Sequence, residues 1–324
     1  MKDFLFFILL ILGSLITMSS NSWISMWMGL ELNFISFIPF INSWNNSLMI
    51  ETSMKYFIIQ ALSSSILILS IIMIMSKIYL IIESKFYLLG LNFAVLMKLG
   101  MFPFHFWLPN LIEGMSWLTS FIMLTWQKIA PMILISIYFY YKLIIIIIIM
   151  SMIISNFGGL NQLSLRKIFT YSSFNHLSWM MSSFLFSKYW WFIYWMLYFL
   201  IITPMIYICK TFNFFNINQL FSNFLMKNLF MIYFMNLFSL GGLPPFLGFF
   251  PKWFILNFLT YKNFYFLSFF MILLTLLNLY YYIRLFFISL LFFNHKIYWM
   301  KKIIINKLMF FIIFLINLPM WMFF

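Results

Sequence analysis

Apolar runs of about twenty residues, separated by brief polar punctuation, fill nearly the whole chain. They lie near residues 4–20, 23–43, 54–76, 86–113, 116–139, 143–160, 169–187, 190–209, 229–261, 264–291 and 306–323. A helix crosses about 30 Å of hydrocarbon with roughly 20 residues at 1.5 Å each. The connections leave no room for a soluble domain. Hydrocarbon offers no water to backbone polar groups, so only helices and closed barrels span it. These runs are continuous rather than alternating, and the dyad pattern of barrel strands is missing. The expected fold is an all-α integral membrane protein with about 11 transmembrane helices, forming a single polytopic domain over residues 1–324.

Charge supports this assignment. The chain has 19 basic and 5 acidic side chains among 324 residues, or 7% charged. An ordinary globular domain carries about 25%. A soluble enzyme, a disordered chain and a disulfide scaffold are excluded. The net charge of +14 does not imply nucleic acid, because the bases are scattered between apolar runs and form no stripe. With Cys209 as the one cysteine, a disulfide within the chain, an iron–sulfur cluster and a Cys-rich zinc site are all out of reach. No metal site is expected. One Val, three Ala and abundant Phe, Ile, Met, Asn and Lys have no folding rationale and match A/T-rich codons, an organellar genome being the leading source. Met1-Lys2-Asp3 enters the first apolar run without a cleavage site or transit peptide, so the first span is expected to be retained. Of the loop Lys and Arg, ten fall on the N-terminal side and five opposite. The positive-inside rule then places the N-terminus on the matrix or cytoplasmic face and the C-terminus across the membrane.

Residues 229–261 and 86–113 are too long for simple rods, at roughly 50 and 42 Å. Both carry Gly and Pro near the middle, in Lys98-Leu99-Gly100-Met101-Phe102-Pro103-Phe104-His105 and Leu240-Gly241-Gly242-Leu243-Pro244-Pro245-Phe246. Pro removes an N–H and clashes with the preceding turn. Each segment is expected to form two half-helices about an unwound centre. Leu99-Gly100 and Pro103-Phe104 recur as Leu240-Gly241 and, with an extra Pro, Pro244-Pro245-Phe246, which suggests an internal repeat, roughly 23–140 and 143–291, followed by a C-terminal helix at 306–323. Paired interrupted segments point to an ion pathway at mid-depth. The plainer alternative is that Gly and Pro merely kink membrane helices.

A charge at mid-span costs at least about 2.5–3.5 kcal/mol and so marks transport or proton transfer. Glu31, Lys98, Lys128 and Lys252 occupy such positions. A carboxylate at about 6 Å from a lysine, at an effective dielectric near 20, is worth roughly 3 kcal/mol. Movement of Glu31 relative to Lys98 is thus expected to act as a valve, with Lys128 and Lys252 as relays. The structural alternatives are snorkelling for Lys252 and simple neutralisation for Glu31. Arg284, near a span end, is expected to snorkel. His105, in the first break, either continues the relay or satisfies freed carbonyls. His176, in Tyr171-Ser172-Ser173-Phe174-Asn175-His176, is a second relay candidate. His295 falls in a loop. No dinucleotide or phosphate motif is present.

Trp27–Asn33, Met97–Pro109, Thr125–Pro131, Leu165–Trp179 and Ser239–Trp253 resemble one family. It is that of mitochondrial NADH:ubiquinone oxidoreductase chain 2, the antiporter-like subunits of respiratory complex I, related to Mrp-type cation/proton antiporters. The composition bias is insect-like. The resemblance implies two inverted five-helix bundles with two discontinuous helices, in a form lacking three N-terminal helices of bacterial relatives. It implies a multi-pass protein of the mitochondrial inner membrane, with the N-terminus in the matrix and the C-terminus in the intermembrane space. Glu31 matches the family's buried glutamate. Lys98 and Lys252 match the lysines of the two broken helices, and Lys128 the connecting lysine. The resemblance also implies that this chain takes part in proton translocation coupled to NADH oxidation and ubiquinone reduction. NADH, FMN, iron–sulfur clusters and ubiquinone would be bound by other subunits and no cofactor by this chain. Its partners would be other complex I membrane subunits, including sister antiporter-like subunits, and the lipid bilayer. A stand-alone cation/proton antiporter and a non-catalytic scaffold remain as alternatives.

Overall fold

The apolar runs become helices wherever the structure, a computed structural model, describes them: residues 2–42, 46–75, 84–138, 140–219 and 227–293. The expected last span, 306–323, lies outside the described residues, as does His295. In chain order the helices are α1 (Lys2–Ser19), α2 (Trp23–Ile41), α3 (Ser47–Met75), α4 (Ser84–Leu99), α5 (Trp107–Gly114), α6 (Trp117–Leu124), a 3-10 turn (Trp126–Lys128), α7 (Ile129–Ile137) and α8 (Tyr141–Leu160). They continue with α9 (Leu165–Ser183), α10 (Trp190–Thr211), α11 (Lys227–Gly241), α12 (Phe249–Tyr261) and α13 (Tyr265–Phe293). The regular elements described are all helices. Six helical stretches among the described residues are long and apolar enough to cross a membrane. The chain divides into two compact units, one up to Ile147 and one from Ile148.

Polarity is distributed inside out relative to a soluble protein. Ile35, Phe57, Leu69, Ile146 and Phe269 are exposed, whereas Gln60, Asn156, Ser172 and Asn278 are buried. The buried hydroxyls of α9 are satisfied within the helix. Ser172, Ser173, Ser178, Ser182 and Ser183 each donate to the carbonyl three residues back, at 2.6–2.9 Å.

In the first unit, α1 and α2 meet through small residues. A methyl added to Gly13 would lie 2.7 Å from the Asn33 nitrogen, and one on Gly29 would lie 2.9 Å from the Gly13 carbonyl oxygen. Close backbone approach of this kind is how membrane helices gain packing without a hydrophobic driving force between them. It fixes α2, which carries Glu31.

α4 and α11 end in the same way. Met101 N–H donates to the Leu96 carbonyl and Gly100 N–H to Met97, with Gly100 at φ +69°. Leu243 N–H donates to Phe238 and Gly242 N–H to Ser239, with Gly242 at φ +83°. Both are Schellman endings, in which a left-handed glycine lets two N–H groups close on the last carbonyls. The structural counterpart of Gly100 is therefore Gly242 and not Gly241, which the sequence match had paired with it. The apolar segment at 116–139 is also not one uninterrupted helix. Pro131 has no N–H to return to the Gln127 carbonyl, and the chain tightens into the 3-10 turn just ahead of it. α3 begins at Ser47, earlier than its apolar run, and Glu51 and Lys55 pair across one turn on its exposed side.

The stretch between α11 and α12 folds back tightly. A methyl on Gly248 would collide with the Ser239 carbonyl oxygen, whereas one on Gly90 would meet only the Ser70 Cβ at 3.5 Å. Gly248→Ala is expected to destabilise the protein by at least about 2 kcal/mol. Gly90→Ala should be neutral or stabilising by up to about 1 kcal/mol. Thermal unfolding midpoints in detergent check both.

Candidate functional site

The first unit assembles its charged groups around α2 and the C-terminal end of α4. Glu31 lies on α2, which Ser22 caps by accepting a hydrogen bond from the Ser25 N–H. Lys98 occupies the last turn of α4, where the helix dipole favours a cation. The two meet across 67 positions of sequence: Lys98 Nζ stands 3.7 Å from Glu31 Oε1. Lys98 has 3% of its side chain exposed and Glu31 17%. Two charges at that separation, largely out of water, attract far more strongly than a surface pair.

Lys128 ends the 3-10 turn and is buried. Its chain neighbour Gln127 ties this turn to α2, because Gln127 Nε2 donates to Asn33 Oδ1 at 3.0 Å. Asn33 lies two residues beyond Glu31. Lys98 and Gln127 also line one cavity of about 20 Å³, together with Asn33, Tyr56 and Gln60. Glu31, Lys98 and the turn holding Lys128 are thus linked through α2. His105 is buried in the segment between α4 and α5, with its ring 3.9 Å from that of Phe106.

In the second unit, Lys252 lies on α12 and is buried at 4% exposure. It reaches inward, donating from Nζ to the carbonyls of Gly241 at 2.8 Å and Leu240 at 3.2 Å. These carbonyls close α11 and have no helical partner of their own, so the lysine caps the helix as it is itself satisfied. Gly242 makes room for it: a methyl there would sit 2.8 Å from Nζ. His176, on α9, shares a hydrogen bond of 2.9 Å between Nδ1 and the Tyr194 hydroxyl, and its ring lies 4.8 Å from that of Tyr198. Arg284 is half-buried and donates to the Leu160 carbonyl at the end of α8, a use that the expectation of snorkelling did not foresee.

Sequence reasoning passed over the amides. Gln60, in the middle of the third apolar run, and Asn33 and Gln127, beside two of the charges, were visible as polar residues in spans. They were not weighed because they carry no charge. Among the described residues no group of His, Cys, Asp and Glu is arranged to hold a metal ion.

The NADH:quinone oxidoreductase/Mrp antiporter transmembrane family matches residues 20–278. The NADH-ubiquinone oxidoreductase chain 2 of Anopheles gambiae is 43% identical over 302 residues, covering 92% of this chain and 89% of that protein. The protein of the same name from Locusta migratoria is 38% identical over 307 residues, 94% of this chain and 90% of the other. In structure, the chain is similar to one of respiratory complex I from Thermus thermophilus, with a TM-score of 0.82 at 18% identity, over 96% of this chain and 75% of that one. It is also similar to a chain of the Mrp complex from Dietzia sp. DQ12-45-1b, with a TM-score of 0.74 at 14% identity, over 91% and 60%. These two likenesses concern the fold; the near-full-length identity to the insect proteins concerns ancestry. The chain belongs to the NADH:quinone oxidoreductase/Mrp antiporter family, and within it to the NADH-ubiquinone oxidoreductase chain 2 proteins.

Proposed function

We propose that this chain is a core membrane subunit of respiratory complex I in the mitochondrial inner membrane, coupling NADH oxidation and ubiquinone reduction to proton translocation. The observation that carries this reading is the buried pair of Glu31 and Lys98 at 3.7 Å. At about 4 Å and an effective dielectric of 20, such a pair is worth about 4 kcal/mol. While the carboxylate stays close, the ammonium keeps its proton; when the carboxylate withdraws, that attraction is lost and Lys98 can give the proton away. Lys128 and Lys252 have no acidic neighbour in sequence and serve as relays in this scheme, with His105 and His176 as further stations. His176 is suited to the role by its bond to Tyr194, since a hydroxyl both donates and accepts. FMN, the iron–sulfur clusters, NADH and ubiquinone belong to other subunits, and this chain binds none of them.

The architecture in this reading is about 11 spans in one domain, with α4–α5 and α11–α12 as the halves of two discontinuous helices in inverted repeats. The matched glycine endings of α4 and α11 support that pairing. Sister antiporter-like subunits and lipid are the neighbours. A stand-alone cation/proton antiporter would use the same residues, and the fold likeness to an Mrp complex chain favours it to that extent. Isolation in mild detergent separates the two, since a lone active carrier would contradict the complex I assignment.

Lys98→Met and Glu31→Gln are expected to assemble normally and to lower proton pumping, with the coupled NADH oxidation, by about a hundredfold, the scale of a lost proton-transfer group. Pumping in reconstituted vesicles and native gels read this out, and undiminished pumping in both variants would sink the relay. Orientation has its own test. Lys188 and Lys210 are exposed, the first just ahead of α10 and the second in its last turn. With the N-terminus in the matrix, a cysteine replacing Lys188 should react with an impermeant maleimide applied from the intermembrane space. One replacing Lys210 should react only after the membrane is opened; the reverse pattern would invert the topology.

A further inference from the structure

One end of the second unit gathers cations that the relay does not use. All five acidic side chains of the sequence precede Ile148, so this unit has no side-chain carboxylate of its own, while most of the 19 basic residues fall within it. α10 ends at Asn213, left-handed at φ 54°, with the Phe214 N–H donating to the Cys209 carbonyl. That ending turns the chain back toward the start of α9. There the Leu165 N–H donates to the Phe215 carbonyl at 2.9 Å, and the Ile217 N–H to the Leu163 carbonyl at 3.0 Å. Ser164 and Asn216 thereby form a short antiparallel bridge. The bridge brings Arg166 and Lys167, in the first turn of α9, to Lys210, in the last turn of α10. The Arg166 guanidinium lies over the Phe215 ring, 4.8 Å from its centre. Arg284 reaches the same end from α13, donating to the Leu160 carbonyl four residues ahead of Ser164.

We propose that this bridged pair of loops is a binding site for the phosphate of an anionic phospholipid, with Arg166, Lys167 and Lys210 as its cations. A helix start favours anions, yet the first turn of α9 carries two bases and no acid. Like charges gathered this way repel one another and raise the local potential, and a bound anion removes that cost. A guanidinium lying flat on a ring presents its N–H groups at the edge, in the fork geometry that suits phosphate oxygens. Depth selects a lipid as the source of the phosphate. α10 has 22 residues, roughly 33 Å of helix against about 30 Å of hydrocarbon, so Lys210, next to its last residue, stands at the level of the headgroups. Leu163 beside the bridge is 73% exposed and Phe157, one turn before the end of α8, is 62% exposed, which offers an acyl chain apolar surface below the phosphate. In the topology read above this end faces the matrix, the side on which basic pockets between membrane helices meet anionic lipid. An acidic segment of a neighbouring subunit would meet the same charges but has no use for the apolar surface next to them.

The test uses the assembled complex in lipid nanodiscs carrying photoactivatable phosphatidylglycerol or photoactivatable phosphatidylcholine, with the labelled peptides mapped. Phosphatidylglycerol should label residues 157–167 and 210–217 at least about fivefold more than phosphatidylcholine does, the factor that one basic residue contributes at an anionic surface. Lys210→Gln, at an exposed side chain, should lower that labelling about fivefold. Lys210→Arg, which keeps the charge, should retain it. Equal labelling by the two lipids overturns the proposal, and so does undiminished labelling of Lys210→Gln. Inorganic phosphate at millimolar concentration should leave the labelling unchanged; displacement by it would make the patch a site for free phosphate and overturn the lipid assignment. Continuous polypeptide density over Arg166 and Lys210 in a map of the complex would assign the patch to a neighbouring subunit and overturn it as well. If Lys210→Gln does not assemble, the comparison of the two lipids on the unmodified complex decides. The readout is labelling and not pumping, so the result stands apart from the fate of the relay.

Discussion

Inside a membrane a polar group has no solvent to fall back on, and this constraint explains most of the internal arrangement of the chain. Each departure from an unbroken helix exposes carbonyls that must find donors. The α11 ending is closed by the N–H groups of Gly242 and Leu243 and by the ammonium of Lys252. The end of α8 is closed by the guanidinium of Arg284. The serines of α9 turn back onto their own helix. Seen this way, a buried cation is both a cost and a remedy: it loses hydration and in exchange satisfies the backbone that a helix break has freed.

Lys98 and Lys252 make different use of that exchange. Lys252 spends its donors on two carbonyls of the preceding helix end. Lys98, on the helix before its own break, faces a carboxylate and a small polar cavity instead. The first is held in place by fixed backbone; the second borders groups that have alternatives. Around α2, Glu31 and Asn33 lie two residues apart on the same helix and address Lys98 and Gln127 respectively.

Much of this was legible beforehand. Apolar runs of spanning length had to become helices, and Glu31, Lys98, Lys128 and Lys252 were conspicuous because charge is so expensive at mid-span. The meeting of Glu31 with Lys98 was foreseen as a requirement of the chemistry, not as a distance. What stayed hidden depended on closure between segments far apart in sequence. Nothing local to Lys252 names Leu240 and Gly241 as its partners, and nothing local to His176 names Tyr194. The interruption at Trp126–Lys128 was written in Pro131, but its effect falls several residues upstream and inside a run that remains apolar. Gly241 and Gly242 are equal as letters; only the backbone shows which one turns left-handed.

The two members of the Glu31–Lys98 pair are not equally enclosed, with 17% of one side chain reachable from outside and 3% of the other. Of the two, the acid is therefore the one nearer the surface of the first unit. The pair has a front door and a back room: the glutamate stands partly open to its surroundings, and the lysine is enclosed behind it.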